Sequence, residues 1–366
     1  MYSDRMRPKG TPARGEFSSL VGAACCTFSR HSLFSAGPSP WPCVFHLPLL
    51  ILLKSLLKIA VSGGLIAWLI GRSDMSMLWE AFRRIGGESL LVAALILVAL
   101  VPLLTWRWQR VATAIGIDIP LSALARIVLI GTFFNQVLPS AIGGDAVRAW
   151  LLKTLNVPLT QGLSSILIDR VFALLGMLLV GGLGLNVWIN VLPFEANQAL
   201  ALIVLLGLAG LGALFLLRHR SHRQPSETSR LDNLSVTLQS VLMNFRKLLR
   251  DPALVAQMLG VSVLIHAIVS VVFWLFAQQL GMQVTFLQLF VCVAVALILS
   301  VIPVSAAGWG VREGALMLLL APLGVASVEA IALSVAFGLA SLLAGIPGML
   351  LWLFGFDRNN RNHAAR

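Results

Sequence analysis

Long apolar runs separated by short polar segments are the dominant pattern of this sequence. A helix needs roughly 20 mostly apolar residues to cross a bilayer, and six runs meet this requirement. These predicted spans are residues 49–71, 88–106, 163–187, 198–217, 257–281 and 327–354. Two further apolar runs, 120–138 and 284–302, lead into segments that contain proline and glycine. The pattern predicts an all-α, polytopic membrane protein with about six full spans and two re-entrant or broken helical hairpins.

The two interrupted segments repeat one another. Residues 137–148 and 301–312 align without a gap, and Val, Pro, Gly, Val and Arg recur in register. Each copy interrupts an apolar run with a proline and then places an arginine, Arg148 or Arg312, at the same distance beyond it. Matched pairs of interrupted hydrophobic segments are the best sequence indication of a transporter's binding site. We therefore expect the two segments to form half-sites of one path.

Composition agrees with a membrane protein. Hydrophobic residues make up 58% of the chain, charged residues only 11%, and the mean hydropathy is +0.89. A soluble domain carries about 25% charged residues. The net charge is +12, but the basic residues lie mainly near the ends and in one loop, so topology explains them without a nucleic-acid partner. The four cysteines show no zinc or redox spacing, and no cofactor is implied.

Basic residues also orient the spans, because cytoplasmic loops are enriched in lysine and arginine. The arginine-rich segment 218–254 is predicted to be a basic cytoplasmic loop, and the tail 356–366 is predicted to be cytoplasmic as well. Residues 1–48 are rich in Ser, Pro, Gly and Arg and have no apolar period. We interpret them as a disordered extension or an incorrectly assigned start. Both termini are then cytoplasmic.

The membrane region is predicted to be an inverted repeat. Its first half is residues 49–190, and its second half consists of 191–217 and 255–355. The distribution of basic residues gives a consistent topology under one condition. The hairpin in 120–155 must enter and leave the membrane from the cytoplasm, and the hairpin in 284–322 must enter and leave it from outside. One connection fits this topology poorly, and within it Met77–Ile85 is predicted to be an interfacial amphipathic helix.

Charged side chains in the apolar region are the candidates for chemistry, since ionisable groups at membrane depth are costly and usually line a cavity with a partner. The planar guanidinium group fits a phosphate in two-point contact, so Arg148 and Arg312 are predicted to bind an anionic headgroup. The alternative is that each arginine only pairs locally. The other substrate-binding candidates are Asn135, Gln136, Gly143, Gly144, Gly308 and Gly310. The predicted charge partners are Asp145, Asp169, Arg170 and Glu313, and the predicted hinges are Pro139 and Pro303.

Some of these residues also have a structural explanation. Asp169 and Arg170 either form a buried ion pair with Asp145 or Arg148 or anchor their span at the interface. Freed backbone groups in a re-entrant turn need partners, so the role favoured for Asn135 and Gln136 is to satisfy that backbone. These two interpretations stay open at the level of the sequence.

Other polar residues in the spans are predicted to be structural. His266 is expected to be a helix-packing residue rather than a proton relay. Trp106 and Trp108, which flank Arg107, are interpreted as part of an interfacial belt. The sequence has no Walker A motif and no HExxH motif, so neither ATP-driven transport nor this type of metal-dependent hydrolysis is expected.

Three motifs resemble the signature of a known family. They are residues 131–139 with 143–148, residues 168–171 and residues 308–314. Together they resemble the lysylphosphatidylglycerol synthase transmembrane-region family of flippase-like proteins, over roughly residues 50–355. The resemblance implies a lipid flippase, which in the best-understood members is fused to a soluble aminoacyl-transfer domain. Because this sequence shows no such domain, synthase activity is not expected, and Trp309, where many relatives have a smaller residue, leaves the lipid open.

The function predicted from the sequence is movement of an anionic lipid, phospho- or isoprenoid-linked, between the leaflets of the cell inner membrane. The expected partners are that membrane lipid and an enzyme that synthesises it. A transporter is expected rather than an enzyme, because no catalytic constellation stands out. The alternatives are a membrane-embedded lipid-modifying transferase and an accessory scaffold that recruits one through the basic loop.

Overall fold

The computed structural model describes residues 64, 75–138, 143–183, 205, 230–301 and 308–364. These residues form helices joined by short connections. The helices are α1 (Met75–Ala99), α2 (Val101–Ala114), α3 (Leu121–Val137), α4 (Gly143–Thr154), α5 (Leu159–Leu183), α6 (Arg230–Leu249), α7 (Pro252–Gln279), α8 (Phe286–Ser300), α9 (Val311–Leu320) and α10 (Ser327–Ala364). The predicted extension 1–48 lies outside the described residues, and so do nearly all of the predicted spans 49–71 and 198–217.

Four helical segments in the described part of the chain are long and apolar enough to cross a membrane. They are Met75–Ala114, Leu159–Gly182, Pro252–Gln279 and Ser327–Phe354. The shortest has 24 residues and reaches about 36 Å at 1.5 Å per residue, which exceeds the roughly 30 Å of a hydrocarbon core. Each segment coincides with one of the four predicted spans that fall within the described residues, so the class of multi-pass membrane protein is confirmed.

Polar residues at the helix starts define where α7 and α8 begin. The side chain of Asp251 accepts a hydrogen bond from the backbone N–H of Leu254 at 3.0 Å, and Pro252 occupies the first position of α7. Thr285 and Gln288 form a reciprocal capping box at the start of α8. Both devices satisfy N–H groups that have no partner within the helix.

Helix α1 is kinked at Gly86, where φ is +69° and ψ is 160°. Before the kink, Leu78, Ala81 and Ile85 are buried on one side of the helix. Their spacing of three and four residues is that of an amphipathic helix. The helix predicted for Met77–Ile85 is therefore present, and the glycine separates it from the rest of the span because a residue with a side chain rarely adopts this φ.

The predicted basic loop 218–254 contains a helix. Its residues Arg230–Leu249 form α6, in which Phe245 and Leu248 are buried. Phe245 packs against Phe172 of α5, with ring centroids 5.8 Å apart. The prediction for this segment did not include a helix, and the spacing of three residues between Phe245 and Leu248 places both on one face of it.

Both interrupted segments form pairs of packed helices. Helix α3 packs against α4, and α8 packs against α9. We call α3 with α4 hairpin 1 and α8 with α9 hairpin 2. Each has the helix–break–helix form predicted for 120–155 and 284–322. The predicted hinges Pro139 and Pro303 lie outside the described residues.

The helices of the two halves pack according to the same scheme. In the first half α2 packs on α3 and α5, and α4 packs on α5; in the second half α7 packs on α8 and α10, and α9 packs on α10. Between the halves, α5 packs on α7 and α8, while α10 packs on α1 and α3. The largest buried apolar cluster lies among α1, α7, α8, α9 and α10, and another lies mainly among α2, α3 and α4. If α1 and α2 are counted as one span, they correspond to α7, and α3, α4 and α5 correspond to α8, α9 and α10. Each pairing listed above then has its counterpart in the other half.

Candidate functional site

Buried charged residues gather where hairpin 1 meets the neighbouring spans. We call Arg107 of α2, Asp145 and Arg148 of α4, and Asp169 and Arg170 of α5 the hairpin 1 cluster. The first four are buried, and Arg170 is partly exposed. Burying so many charges is tolerated only where they compensate one another, so their pairing decides what the cluster can bind.

A two-point ion pair joins α2 to α5. Nε and Nη2 of Arg107 donate to the two carboxylate oxygens of Asp169 at 2.8 and 3.1 Å. Nη1 of Arg107 donates to the hydroxyl oxygen of Ser262 on α7 at 3.0 Å. Every nitrogen of this buried guanidinium has an acceptor, and this arrangement offsets the desolvation cost of burying the charge. Arg107 therefore ties three spans together through one hydrogen bond from each of its three nitrogens.

A second two-point pair joins α4 to α5. Nε and Nη2 of Arg170 each donate to a carboxylate oxygen of Asp145 at 2.8 Å. The Arg170 side chain is 41% exposed, whereas Asp145 is 12% exposed. The sequence had left a pair of Arg170 with Asp145 and an interfacial anchor as alternatives, and the geometry is that of the pair.

Arg148 is the least satisfied arginine of the hairpin 1 cluster. Its Nε is buried without a hydrogen-bond partner, and its described ion pair is a contact of Nη1 with Oδ1 of Asp145 at 3.6 Å. The guanidinium lies over the ring of Trp108 at 5.4 Å and against Gly131, where an added Cβ would collide with it. Leaving a buried donor unpaired costs about 1–3 kcal/mol, so a further acceptor here would be stabilising.

The hairpin 1 cluster carries one positive charge in excess among the described residues. Its three arginines are Arg107, Arg148 and Arg170, and its two carboxylates are Asp145 and Asp169. Two of the arginines each form a two-point pair, and the third only shares a carboxylate at longer range. The excess charge and the unpaired donor therefore coincide at Arg148, and both favour an anion.

Arg312 of hairpin 2 has a different set of partners. Its Nε donates to Oγ of Ser334 at 2.8 Å, and its Nη2 donates to Oε1 of Glu313 at 2.9 Å and to the carbonyl oxygen of Ser334 at 3.0 Å. Oγ of Ser334 in turn donates to Oε1 of Glu313 at 2.8 Å. We call these three residues the hairpin 2 cluster. All three are buried, and their charges sum to zero.

Aromatic rings cover the Arg312 guanidinium. The rings of Trp309 and Phe337 lie 5.3 and 5.1 Å from it, within the range of cation–π attraction. Gly338 of α10 makes room for this packing, because an added Cβ would collide with the Trp309 ring. The large residue at 309 is thus accommodated by a glycine on the neighbouring helix and forms part of the wall around Arg312.

A protein-family model described as lysylphosphatidylglycerol synthase TM region matches residues 55–348. This range covers most of the chain and includes both hairpins and both charged clusters. The chain belongs to the lysylphosphatidylglycerol synthase transmembrane-region family. No curated protein matches it significantly. Membership confirms the resemblance predicted from the three motifs and identifies a membrane protein of a lipid-related family.

In this member of the lysylphosphatidylglycerol synthase transmembrane-region family, close contacts shape hairpin 1. Oδ1 of Asn135 accepts a hydrogen bond from the backbone N–H of Gly144 at 3.1 Å, so its contact is with the backbone at the start of α4. A Cβ on Gly144 would collide with the Gly131 carbonyl, and one on Gly143 with the Leu138 side chain. These two predicted substrate-binding glycines therefore have a packing role. Gln136 is half-buried in the last turn of α3.

The glycines of hairpin 2 have a conformational role. Gly308 and Gly310 have φ values of +80° and +88°, which residues with a side chain rarely adopt. The backbone N–H of Gly310 donates to Oε2 of Glu313 at 2.6 Å. Glu313 thus both compensates Arg312 and caps the start of α9.

Several residues that contact the buried charges, among them Arg107, Trp108 and Ser334, were not predicted as site residues. The interpretation of Trp106 and Trp108 as an interfacial belt is wrong for Trp108, which is 1% exposed, and Arg107 between them is also buried, at 4% exposed. In the sequence, Arg107 directly follows the apolar run 88–106 and Asp169 lies within 163–187, so each charge needs a partner, but the sequence does not pair them. Ser334 could not be found in this way, because a lone serine in a span is common.

Proposed function

We propose that this protein moves an anionic lipid, phospho- or isoprenoid-linked, between the two leaflets of the cell inner membrane. The observation that carries the proposal is the buried, incompletely paired Arg148 within a cluster that has one excess positive charge. A headgroup phosphate supplies the missing negative charge, and its oxygens match the donor geometry of a guanidinium. We assign Arg148 as the principal headgroup contact within the hairpin 1 cluster.

The pair of Asp145 with Arg170 supports a route by which the headgroup reaches Arg148. Asp145 lies between the two arginines, where a phosphate would also bind both. Arg170 is partly exposed, so an incoming phosphate meets this arginine before the buried one. The phosphate would then share these arginines with the Asp145 carboxylate and neutralise the excess positive charge, so that no buried charge would lose its partner.

The matching packing scheme of the halves supports an inverted repeat with alternating access. In such transporters, the substrate site lies between the repeats, and one repeat moves against the other. In the described arrangement, Arg148 of hairpin 1 has a donor without a partner, which an anion would supply. Arg312 of hairpin 2 is instead bonded to Glu313 and Ser334. We infer that the opposite state releases Arg312 from these partners and so provides the second phosphate contact. The short contacts at the hairpin glycines would set the positions where each hairpin bends.

Reconstitution into liposomes with fluorescent phosphatidylglycerol tests the proposal. Replacing Arg148→Ala removes a charge-assisted interaction of about 1.5–3 kcal/mol, so transport should slow by about 10- to 100-fold. Arg148→Lys keeps the charge without the planar fork and should be intermediate. Arg110→Ala is the matched control, because Arg110 is exposed and bonds to Gln257 outside the cluster. Unchanged transport in Arg148→Ala would overturn the assignment, and a chemically altered lipid would favour a lipid-modifying enzyme.

The membrane orientation has a separate test. We propose that Lys153, at the end of α4, faces the cytoplasm and that Glu329, at the start of α10, faces outside. Single cysteines at these positions should react with a membrane-impermeant reagent from opposite sides. Labelling of both from the same side would contradict the inverted arrangement but would leave the headgroup contact at Arg148 untouched.

A further inference from the structure

Helix α7 carries a line of buried polar side chains. Ser262, His266 and Ser270 follow one another at intervals of one helical turn and therefore share one face. Their exposed fractions are 1%, 5% and 1%. The other side of the same helix exposes apolar residues, including Leu264 and Val271. The helix therefore turns these hydroxyl and imidazole groups inward and apolar side chains outward.

This polar face connects the two charged clusters. At one end, Oγ of Ser262 accepts a hydrogen bond from Nη1 of Arg107 in the hairpin 1 cluster. At the other end, Phe273 stacks on Phe337 with ring centroids 4.3 Å apart, and Phe337 lies 5.1 Å from the Arg312 guanidinium. At 1.5 Å per residue, the helix axis covers about 16 Å from Ser262 to Phe273. His266 and Ser270 lie between these two contacts.

Two polar atoms on this face lack a partner. Nδ1 of His266 and Oγ of Ser270 are buried and have no hydrogen bond. Hydroxyl groups in helices usually bond to a carbonyl one turn earlier. The hydroxyls of Thr105, Ser164, Ser262 and Ser341 do so. Ser270 does not use this bond, so its hydroxyl is available for a different partner.

We propose that His266 and Ser270, which follow Ser262 on this face, form a hydrogen-bonding track for the lipid headgroup between the two clusters. The groups that bind there are the hydroxyl and phosphate oxygens of the headgroup. The inference rests on the proposed lipid transport and specifies its path. Neutral donors and acceptors suit the middle of such a path, because sites along it must bind strongly enough to admit the substrate and weakly enough to release it. The two charged clusters described above lie at its two ends.

The track is tested with His266→Leu and Ser270→Ala, singly and combined, in the full chain. Transport of fluorescent phosphatidylglycerol by the double variant should fall by about tenfold or more, the order expected for lost hydrogen bonds. His266→Gln keeps a polar group and should recover most of the rate. Ser341→Ala is the matched control, because its buried hydroxyl is satisfied by the Phe337 carbonyl. Binding of phosphatidylglycerol, measured by native mass spectrometry, should persist because the hairpin 1 cluster is intact.

Thermal stability separates the track from a packing role. Removing buried polar atoms that lack partners should leave the melting temperature unchanged or raise it. Reduced transport with a clearly lower melting temperature would indicate packing and overturn the track. Transport at the wild-type rate in the double variant would overturn it as well, while the proposed function would stand if Arg148→Ala remained impaired. A wild-type protein that moves no phosphatidylglycerol would instead contradict the proposed function.

Discussion

Arg148 and Arg312 occupy the same position in two repeated motifs, yet their side chains have different surroundings. Arg312 is compensated by the adjacent Glu313, bonded to Ser334 and covered by two rings. Arg148 shares one carboxylate at 3.6 Å and keeps a buried donor without a partner. Repetition in the sequence therefore places the arginine but does not determine its partners. A neutral, closed cluster stabilises a conformation, whereas an incompletely paired one leaves a binding site for an anion.

The largest effect is expected when the carboxylate that compensates Arg312 in hairpin 2 is removed. Glu313→Ala should lower the free energy of unfolding by about 3–5 kcal/mol, because it leaves Arg312 buried without its counter-charge. It also removes the cap on the Gly310 N–H. Unfolding in a denaturing detergent, followed by circular dichroism, gives the measurement.

Two further variants make the result specific to the buried pair. The double replacement Arg312→Met with Glu313→Leu removes both charges and should recover most of the stability. Glu329→Ala is the control, because Glu329 is a helix-start carboxylate with a long contact of 3.4 Å to the Ala326 N–H. Equal destabilisation by Glu313→Ala and Glu329→Ala would contradict a stabilising role for the buried pair of Arg312 and Glu313.

Replacing the arginine of hairpin 1 should affect the transport rate more than the free energy of unfolding. Arg148→Met should lower transport by about 10- to 100-fold, as expected for one lost charge-assisted contact. Its effect on the free energy of unfolding should stay near 1 kcal/mol, because the lost attraction to Trp108 is offset by removal of an unpaired donor. Parallel measurement of both quantities on one preparation provides the check. A stability loss as large as that of Glu313→Ala would erase the distinction between the two clusters.

The fold was more predictable from the sequence than the site. Run length located the spans because a bilayer fixes the number of apolar residues, and proline with glycine located the interruptions in α3–α4 and α8–α9. The charge content of 218–254 did not indicate α6, because its buried face was visible only in the spacing of its apolar residues. The partners of the arginines depend on which helices meet, as with Arg107 and Asp169, which lie 62 residues apart. No local pattern distinguishes that pair from two unrelated charges.

Neutralising the shared carboxylate should strengthen the anion site. Asp145→Asn raises the excess charge of the hairpin 1 cluster, so affinity for phosphatidylglycerol should rise by about tenfold, or roughly 1.4 kcal/mol. The gain is limited because Arg170 is partly exposed and solvent screens its charge. Lipid binding by native mass spectrometry tests the direction. Glu313 is the carboxylate of the hairpin 2 cluster, although it does not align with Asp145 in the repeat. Glu313→Gln should not increase binding in the described state, since Arg312 keeps Ser334 and the rings. An equal gain in both variants would mean that both clusters are open to the lipid.

The smallest expected effect concerns the ring over Arg312. Trp309→Phe keeps an aromatic face with a weaker attraction to the guanidinium and should lower the free energy of unfolding by about 0.5–1 kcal/mol. Because Gly338 provides room only for the ring that is present, the smaller phenyl group leaves a gap and cannot compensate by closer packing. If hairpin 2 opens during each transport cycle, this loosening of the closed state should raise the transport rate slightly rather than lower it. A slower rate at reduced stability would instead place Trp309 in contact with the lipid, and Arg312 would then belong to the transport path even in the described state.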